Sequence, residues 1–235
     1  MLVLAALLLR GLYHEDRGHL EASLADYGRV IATPDAHATQ LAEALFRRGS
    51  AYAKKGEVEA ALVDLGRVIA LPEAPAEYVA QALFSRSGVY LKLGRRAAEL
   101  EDLFRICELP NAPTAHLSFA LLTRVMLYGE RGLHDEAIAD ATRLVELADV
   151  SADTRNEARL LRGKYYNAQG KIDEAIAEFG RIIDQPDGTP QWVARALQER
   201  GFACKQKGRA ADFIENFSQL IELPGAPIEM VANAL

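Results

Sequence analysis

The fold is decided by the stretch Arg162-Gly163-Lys164-Tyr165-Tyr166-Asn167-Ala168-Gln169-Gly170-Lys171-Ile172-Asp173-Glu174-Ala175-Ile176-Ala177-Glu178-Phe179. Gly170 marks a turn, because glycine accepts the left-handed conformation that ends a helix, where another residue would cost about 1 kcal/mol. Beyond it, Ala175, Ile176, Phe179, Ile182 and Ile183 fall on one helical face. The stretch therefore predicts two helices joined by a short turn. One such hairpin cannot bury both of its helices, so it needs neighbours of its own kind.

The neighbours are in the sequence. With Ala6 as position 1, Ala44, Ala82, Ala120, Ala158 and Ala196 follow at intervals of 38 residues, and Ala234 opens a seventh copy. No insertion or deletion interrupts the register, which defines repeats 6–43, 44–81, 82–119, 120–157, 158–195 and 196–233 within a single array expected over 1–235. Position 5 is always arginine: Arg10, Arg48, Arg86, Arg124, Arg162 and Arg200. Position 13 is always glycine, from Gly18 to Gly208, and position 9 is tyrosine in four repeats. All nine prolines lie at positions 29 to 33 and mark the loop between repeats, since proline cannot sit inside a helix. A first helix is thus expected from position 33 of the preceding repeat to position 12, and a second helix from about 14 to 28. The second repeat shows the same second-helix face in Ala61, Leu62, Leu65, Val68 and Ile69.

The order Gly163, Tyr166, Gly170, Ala175, Phe179, Pro186, repeated as Gly49, Tyr52, Gly56, Ala61, Leu65, Pro72, resembles the tetratricopeptide repeat (TPR) over essentially the whole chain. The resemblance implies an all-α fold. The expected form is an α-solenoid, a right-handed superhelix of six helix–turn–helix repeats plus a partial seventh first helix. It also implies a concave surface lined by first helices and a non-catalytic role in binding a protein or peptide. Three features depart from the family. The period is 38 instead of the usual 34, which points to a first helix longer by about one turn. Arginine precedes the first glycine where an apolar residue is usual. Ser87 and Val125 replace that glycine in the third and fourth repeats.

The arginine column has a structural reading. Position 5 lies eight residues before the turn glycine and position 21 eight residues after it, so an antiparallel helix pair sets them at one height. Position 21 is Asp26, Asp64, Asp102, Asp140, Glu178 and Asn216, which predicts an arginine–acid bridge in the first five repeats. A ladder of arginines that binds an acidic ligand is the alternative.

Helical spacing places positions 35, 38, 3, 7, 10 and 11 on the inner stripe of a first helix. The stripe carries Gln40, Glu43, Phe46, Ser50, Ala53 and Lys54, then Tyr78, Gln81, Phe84, Gly88, Leu91 and Lys92. It continues through His116, Phe119, Leu122, Met126 and Gly129, through Leu160, Lys164 and Asn167, and through Trp192, Arg195, Gln198, Phe202 and Lys205. The partner-contacting residues expected from it are Tyr78, Phe84, Lys92, Met126, Lys164, Asn167, Trp192, Arg195, Phe202 and Lys205. Trp192 and Phe202, beside two cations, are of the residue types favoured as anchors; packing of both against neighbouring helices is the competing reading. The family's clamp for a terminal carboxylate has no counterpart, because its positions hold Phe46 and Ser50, Phe84 and Gly88, and Leu122 and Met126.

Other chemistry is not indicated. His14, His19, His37, His116 and His134 occupy five different repeat positions, and none pairs with cysteine at a metal-ligand spacing. No phosphate loop or nucleophile motif occurs, so no catalytic residue, metal or cofactor is expected. Cys107 and Cys204, 97 residues apart, are expected to be reduced and packed, which suits the cytoplasm. The net charge of −6 disfavours nucleic acid as a partner, and no membrane span is expected: the nine apolar residues ending at Leu9 are too few to cross one. The chain starts and stops inside a first helix with apolar residues, which suggests either a segment of a longer protein or head-to-tail self-association. Two further functions remain open on the sequence: an RNA-binding helical repeat, and a regulatory or oligomerisation arm of a larger enzyme.

Overall fold

The turn glycines set the architecture. In the computed structural model, which describes residues 2–185 and 189–232, Gly18, Gly56, Gly94, Gly132, Gly170 and Gly208 all have φ between +68° and +85°. At each, the following amide bonds back five residues, as Glu57 N does to Tyr52 O at 2.9 Å and Lys171 N to Tyr166 O at 2.9 Å. This closure satisfies the last carbonyls of the first helix and starts the second.

The described residues form thirteen helices and no strand. First helices are α1 (Leu2–Asp16), α3 (Ala38–Lys55), α5 (Ala76–Lys92), α7 (Thr114–Glu130), α9 (Ala152–Ala168), α11 (Pro190–Gln206) and the short α13 (Ile228–Ala232). Second helices are α2 (Leu20–Ile31), α4 (Val58–Ala70), α6 (Arg96–Glu108), α8 (His134–Glu146), α10 (Ile172–Ile183) and α12 (Ala210–Glu222). The fold is thus an all-α solenoid of helix–turn–helix repeats. The first helices of the third to sixth repeats have 17 residues and the second helices 12 or 13, so the extra turn lies in the first helix. Among the described residues, no helix is long and apolar enough to cross a membrane.

Second helices end one or two residues earlier than the periodicity predicts. Leu71, Leu109 and Leu223, at position 28, turn to extended backbone with ψ of 120°, 120° and 114°. Each precedes a proline, whose ring excludes the helical conformation from the residue before it. The next residue but one then takes a positive φ: 61° at Glu73, 57° at Asn111 and 77° at Gly225. Leu71 to Ala74 closes with a 3.3 Å hydrogen bond, which is a proline-led turn that needs a left-handed third residue. Where proline is missing, before α9, Ser151 caps the helix by accepting from Thr154 N at 3.1 Å. Pro186, Asn233, Ala234, Leu235 and Met1 lie outside the described residues.

The chain divides into two compact units, Met1–Ala120 and Leu121–Leu235, with the division inside α7. In the N-terminal unit α1 packs on α2, α3 on α4 and α5 on α6, and α2 and α4 each pack on the next first helix. Its core holds Leu7, Tyr27, Val30, Leu45, Leu65 and Val68. The C-terminal unit repeats the scheme with α8 on α9, α9 on α10, α10 on α11 and α11 on α12, around Phe179, Ile182, Leu197 and Leu220. The apolar residues Leu2, Val3 and Leu9 of α1 are exposed, as is Ile228 of α13.

Glycine at position 6 allows the helix pair to close in four of the six repeats. A Cβ on Gly11 would lie 2.5 Å from the Tyr27 ring, on Gly49 3.0 Å from Leu65, on Gly163 2.5 Å from Phe179 and on Gly201 2.7 Å from Phe217. The large partner is always position 22. Where Val125 replaces the glycine, position 22 is Ala141, and both are fully buried. The bulk has moved from one helix to the other, so the departure is compensated in volume. In the third repeat buried Ser87 turns its hydroxyl onto Phe84 O at 2.7 Å.

Candidate functional site

The position-5 arginines reach the acids sixteen residues on in all five repeats expected to form the bridge. In the first four, Nε and Nη2 grip both carboxylate oxygens, at 2.8 and 2.6 Å for Arg86 on Asp102 and at 2.6 and 2.6 Å for Arg124 on Asp140. The bond to Asp26 raises the Arg10 pKa, and the same bond holds the Asp26 carboxyl below the usual carboxylate range. Hydrogen bonds to Asp64 and Asp102 likewise raise Arg48 and Arg86. The guanidinium groups also lie over the tyrosines one turn on, Arg48 over Tyr52 at 5.9 Å and Arg86 over Tyr90 at 5.7 Å. In the sixth repeat Arg200 Nε donates to Asn216 Oδ1 at 2.6 Å. Each of these arginines is held by its partner across the helix pair, which disfavours the ladder of free arginines.

The first-helix face is built from rungs between neighbouring helices. Position 3 of one helix meets position 35 of the next: Phe46 with Tyr78 at 6.4 Å, and Phe84 edge-on to His116 at 5.3 Å. In the C-terminal unit the corresponding residue Leu160 is buried in a core cluster against which Trp192 packs. Leu160 therefore belongs to the core and not to an open stripe. Gly129 is also closed off: a Cβ there would lie 2.1 Å from the Tyr165 hydroxyl, which donates to Val125 O at 3.3 Å. His134 stacks on that ring at 5.6 Å.

In the N-terminal unit the face stays open. Between α1, α3 and α5 lies a cavity of about 440 Å³. Phe46, Ala53 and Val89 give it apolar walls, and Arg47, Lys54, Lys92 and Glu15 charge its rim. Gly88 forms part of the lining, and a Cβ added there would meet nothing within 4 Å. Ser50 Oγ is buried without a hydrogen-bond partner. Two of the rim cations are paired, Lys54 with Glu15 at 2.6 Å and Arg47 with Glu43 at 3.2 Å. Among the described residues no acid pairs with Lys92, which is exposed. The cavity therefore offers an apolar slot, one unmet hydroxyl and a net positive mouth.

The ten expected contact residues fall into separate patches. Lys92 lines the cavity, and Tyr78 stands beside it through Phe46. Burial foremost, with Glu43 adding to it, raises the Tyr78 hydroxyl to about 12. Phe84 is partly exposed between His116 and Phe119. In the C-terminal unit Met126 is exposed, Lys164 is paired with Glu199 at 2.8 Å, and Asn167 keeps a buried Oδ1 without a partner. Trp192 is half-buried; its Nε1 donates to Asp153 Oδ1 at 2.8 Å and Arg195 lies over its ring at 5.3 Å. Phe202 leans on Phe217 at 5.4 Å, and Lys205 sits 5.3 Å from the Phe213 ring.

The cavity itself was not singled out by the sequence, although Phe46, Ser50, Ala53, Lys54, Gly88 and Lys92 all lie on the expected stripe. The signal was at position 7, which is small only in Ser50 and Gly88 and is Leu12, Met126, Lys164 and Phe202 elsewhere. Glu15 is at stripe position 10 of the first repeat, whereas Arg47, Ser85 and Val89 lie off the stripe and had no such signal.

The profile of the tetratricopeptide repeat matches residues 8–78 and 122–190. No curated protein matches the chain as a relative. Among solved structures, the C-terminal part of a TPR repeat-containing protein from Cytophaga hutchinsonii is 11% identical, covers 97% of this chain and 84% of its own, and superposes with a TM-score of 0.62. YrrB, described as a TPR protein with an unusual peptide-binding site, is 17% identical over 89% of this chain and 98% of its own, with a TM-score of 0.60. PilF of Pseudomonas aeruginosa is 13% identical over 98% and 96%, with a TM-score of 0.52. At these identities the structures speak for the fold alone, while the profile covers more than half of the chain: this protein belongs to the tetratricopeptide repeat family.

Proposed function

We propose that this protein is a non-catalytic scaffold that holds a segment of a protein partner on its first-helix face, with the cavity of the N-terminal unit as the anchor. The observation that carries the reading is the open space over Gly88, flanked by the unmet Ser50 hydroxyl and the unpaired Lys92. An apolar side chain would fill the slot along Phe46 and Val89, and an adjacent carboxylate would meet Lys92. Membership in a family of interaction repeats supports this, as does the peptide-binding site ascribed to YrrB. Tyr78 and Phe84 would extend the contact along the N-terminal unit. Met126, Lys164, Asn167, Trp192, Arg195, Phe202 and Lys205 would offer a second contact face on the C-terminal unit.

The reading is tested by selecting a displayed random-peptide library on the immobilised protein. Enriched peptides are expected to share a large apolar residue next to Asp or Glu. Enrichment of basic peptides, or of none, would contradict it.

A further inference from the structure

The fifth arginine rung differs from the others. Glu178 stands where the first four repeats have aspartate. Its longer side chain divides its two oxygens between two arginines: Oε2 accepts from Arg162 Nη2 at 2.7 Å and Oε1 accepts from Arg181 Nη1. Arg162 Nη1 turns to Thr142 Oγ1 at 3.0 Å. The two-point grip is lost, and Arg162 Nε is left buried without a partner in a residue only 8% exposed.

Arg162 lines a cavity of about 370 Å³ bounded by α8, α9 and α10. Arg159 lines the same cavity, half-buried, and its Nε is also buried without a partner. Burial, and then the charges of Arg155, Arg162 and Arg181, push the Arg159 pKa down. Arg181, largely exposed, adds a third guanidinium to the wall. Against three cations the cavity has two carboxylates, Glu178, already shared between Arg162 and Arg181, and Glu146 at its exposed edge. Buried donors without acceptors and an excess of like charge both cost free energy, and an oxyanion would relieve both at once.

We propose that this cavity is an anion-binding site, in which Arg159 Nε and Arg162 Nε donate to the oxygens of a phosphate or carboxylate group and Arg181 closes over it. The site lies in the C-terminal unit and does not depend on the peptide-binding reading of the N-terminal cavity.

Inorganic phosphate and acetate serve as probes, titrated at constant ionic strength into the wild-type chain and followed by calorimetry and by thermal unfolding. Saturable phosphate binding with a rise in midpoint is expected. Arg159→Gln should weaken it at least tenfold while leaving the midpoint in chloride unchanged or higher, because the residue removed is unpaired. Glu178→Asp should also weaken it, by restoring the two-point grip on Arg162. Saturation by acetate as well as phosphate would assign the site to carboxylates as well; saturation by phosphate alone would assign it to a phosphoryl group. No saturable binding of either anion, or equal binding by wild type and Arg159→Gln, would overturn the proposal.

Discussion

Arg48 and Asp64, one on each helix of the second repeat, are joined by two hydrogen bonds, Nε to Oδ2 at 2.7 Å and Nη2 to Oδ1 at 2.9 Å. The carboxylate side chain is only 3% exposed, and Arg67 at 3.7 Å is the one other cation bridged to it among the described residues. Removing Arg48 leaves a buried charge with its main partner gone. Arg48→Met is expected to cost about 2–4 kcal/mol in urea unfolding. The double variant Arg48→Met with Asp64→Leu should recover much of the loss, since the stranded charge goes with it. Equal costs for the single and double variants would refute this account of the rung. The outermost rung should matter less: the Arg10 side chain is 55% exposed, so Arg10→Met is expected to change the midpoint much less than Arg48→Met.

Gly163 tests the helix-pair contact. A Cβ would lie 2.5 Å from the Phe179 ring, which is itself fully buried. Gly163→Val is expected to destabilise by about 1–3 kcal/mol through overpacking. Combining it with Phe179→Ala should restore part of the loss, because that pair imitates the native Val125 and Ala141. A double variant worse than the sum of its parts would contradict the volume exchange.

Glu73 carries a cost at a loop. Its φ of 61° is left-handed, whereas Gly225 serves the same turn with φ 77°. Glu73→Gly is expected to stabilise by up to about 1 kcal/mol, the steric cost being offset in part by glycine's greater freedom when unfolded. Equilibrium unfolding in urea checks this, and a loss of stability would contradict it.

Tyr78 gives a pH signature. Its hydroxyl is raised to about 12, so folding favours the neutral form. A group raised in this way contributes in full below the ordinary tyrosine value of about 10, and its contribution is lost as pH rises through the folded value. Absorbance titration of wild type against Tyr78→Phe should show the missing transition near pH 12. A difference centred near pH 10 would mean that the hydroxyl is solvated.

The repeat and its rungs were legible in the sequence because they depend on register alone. The turn glycines fix where each hairpin folds back, and equal spacing from the turn sets Arg48 opposite Asp64. The surface was less legible because it depends on side-chain volume across neighbouring helices. Tyr165 covers Gly129 from the next first helix, and Trp192 packs on the cluster that buries Leu160. The N-terminal cavity opens because Ser50 and Gly88 are small at the same repeat position on adjacent helices. The anion cavity turns on a single methylene, the difference between Glu178 and an aspartate, which a match of charges does not register.

The central claim is that the cavity over Gly88 anchors a partner. Its most direct measurement is calorimetry of a library-selected peptide with wild type and with Gly88→Leu. A leucine there meets no neighbouring atom within 4 Å of its Cβ and is a better helix former, so stability should hold or rise by about 0.5–1 kcal/mol. The account predicts at least a tenfold loss of affinity with the unfolding midpoint preserved. Unchanged affinity in a folded Gly88→Leu variant would contradict it.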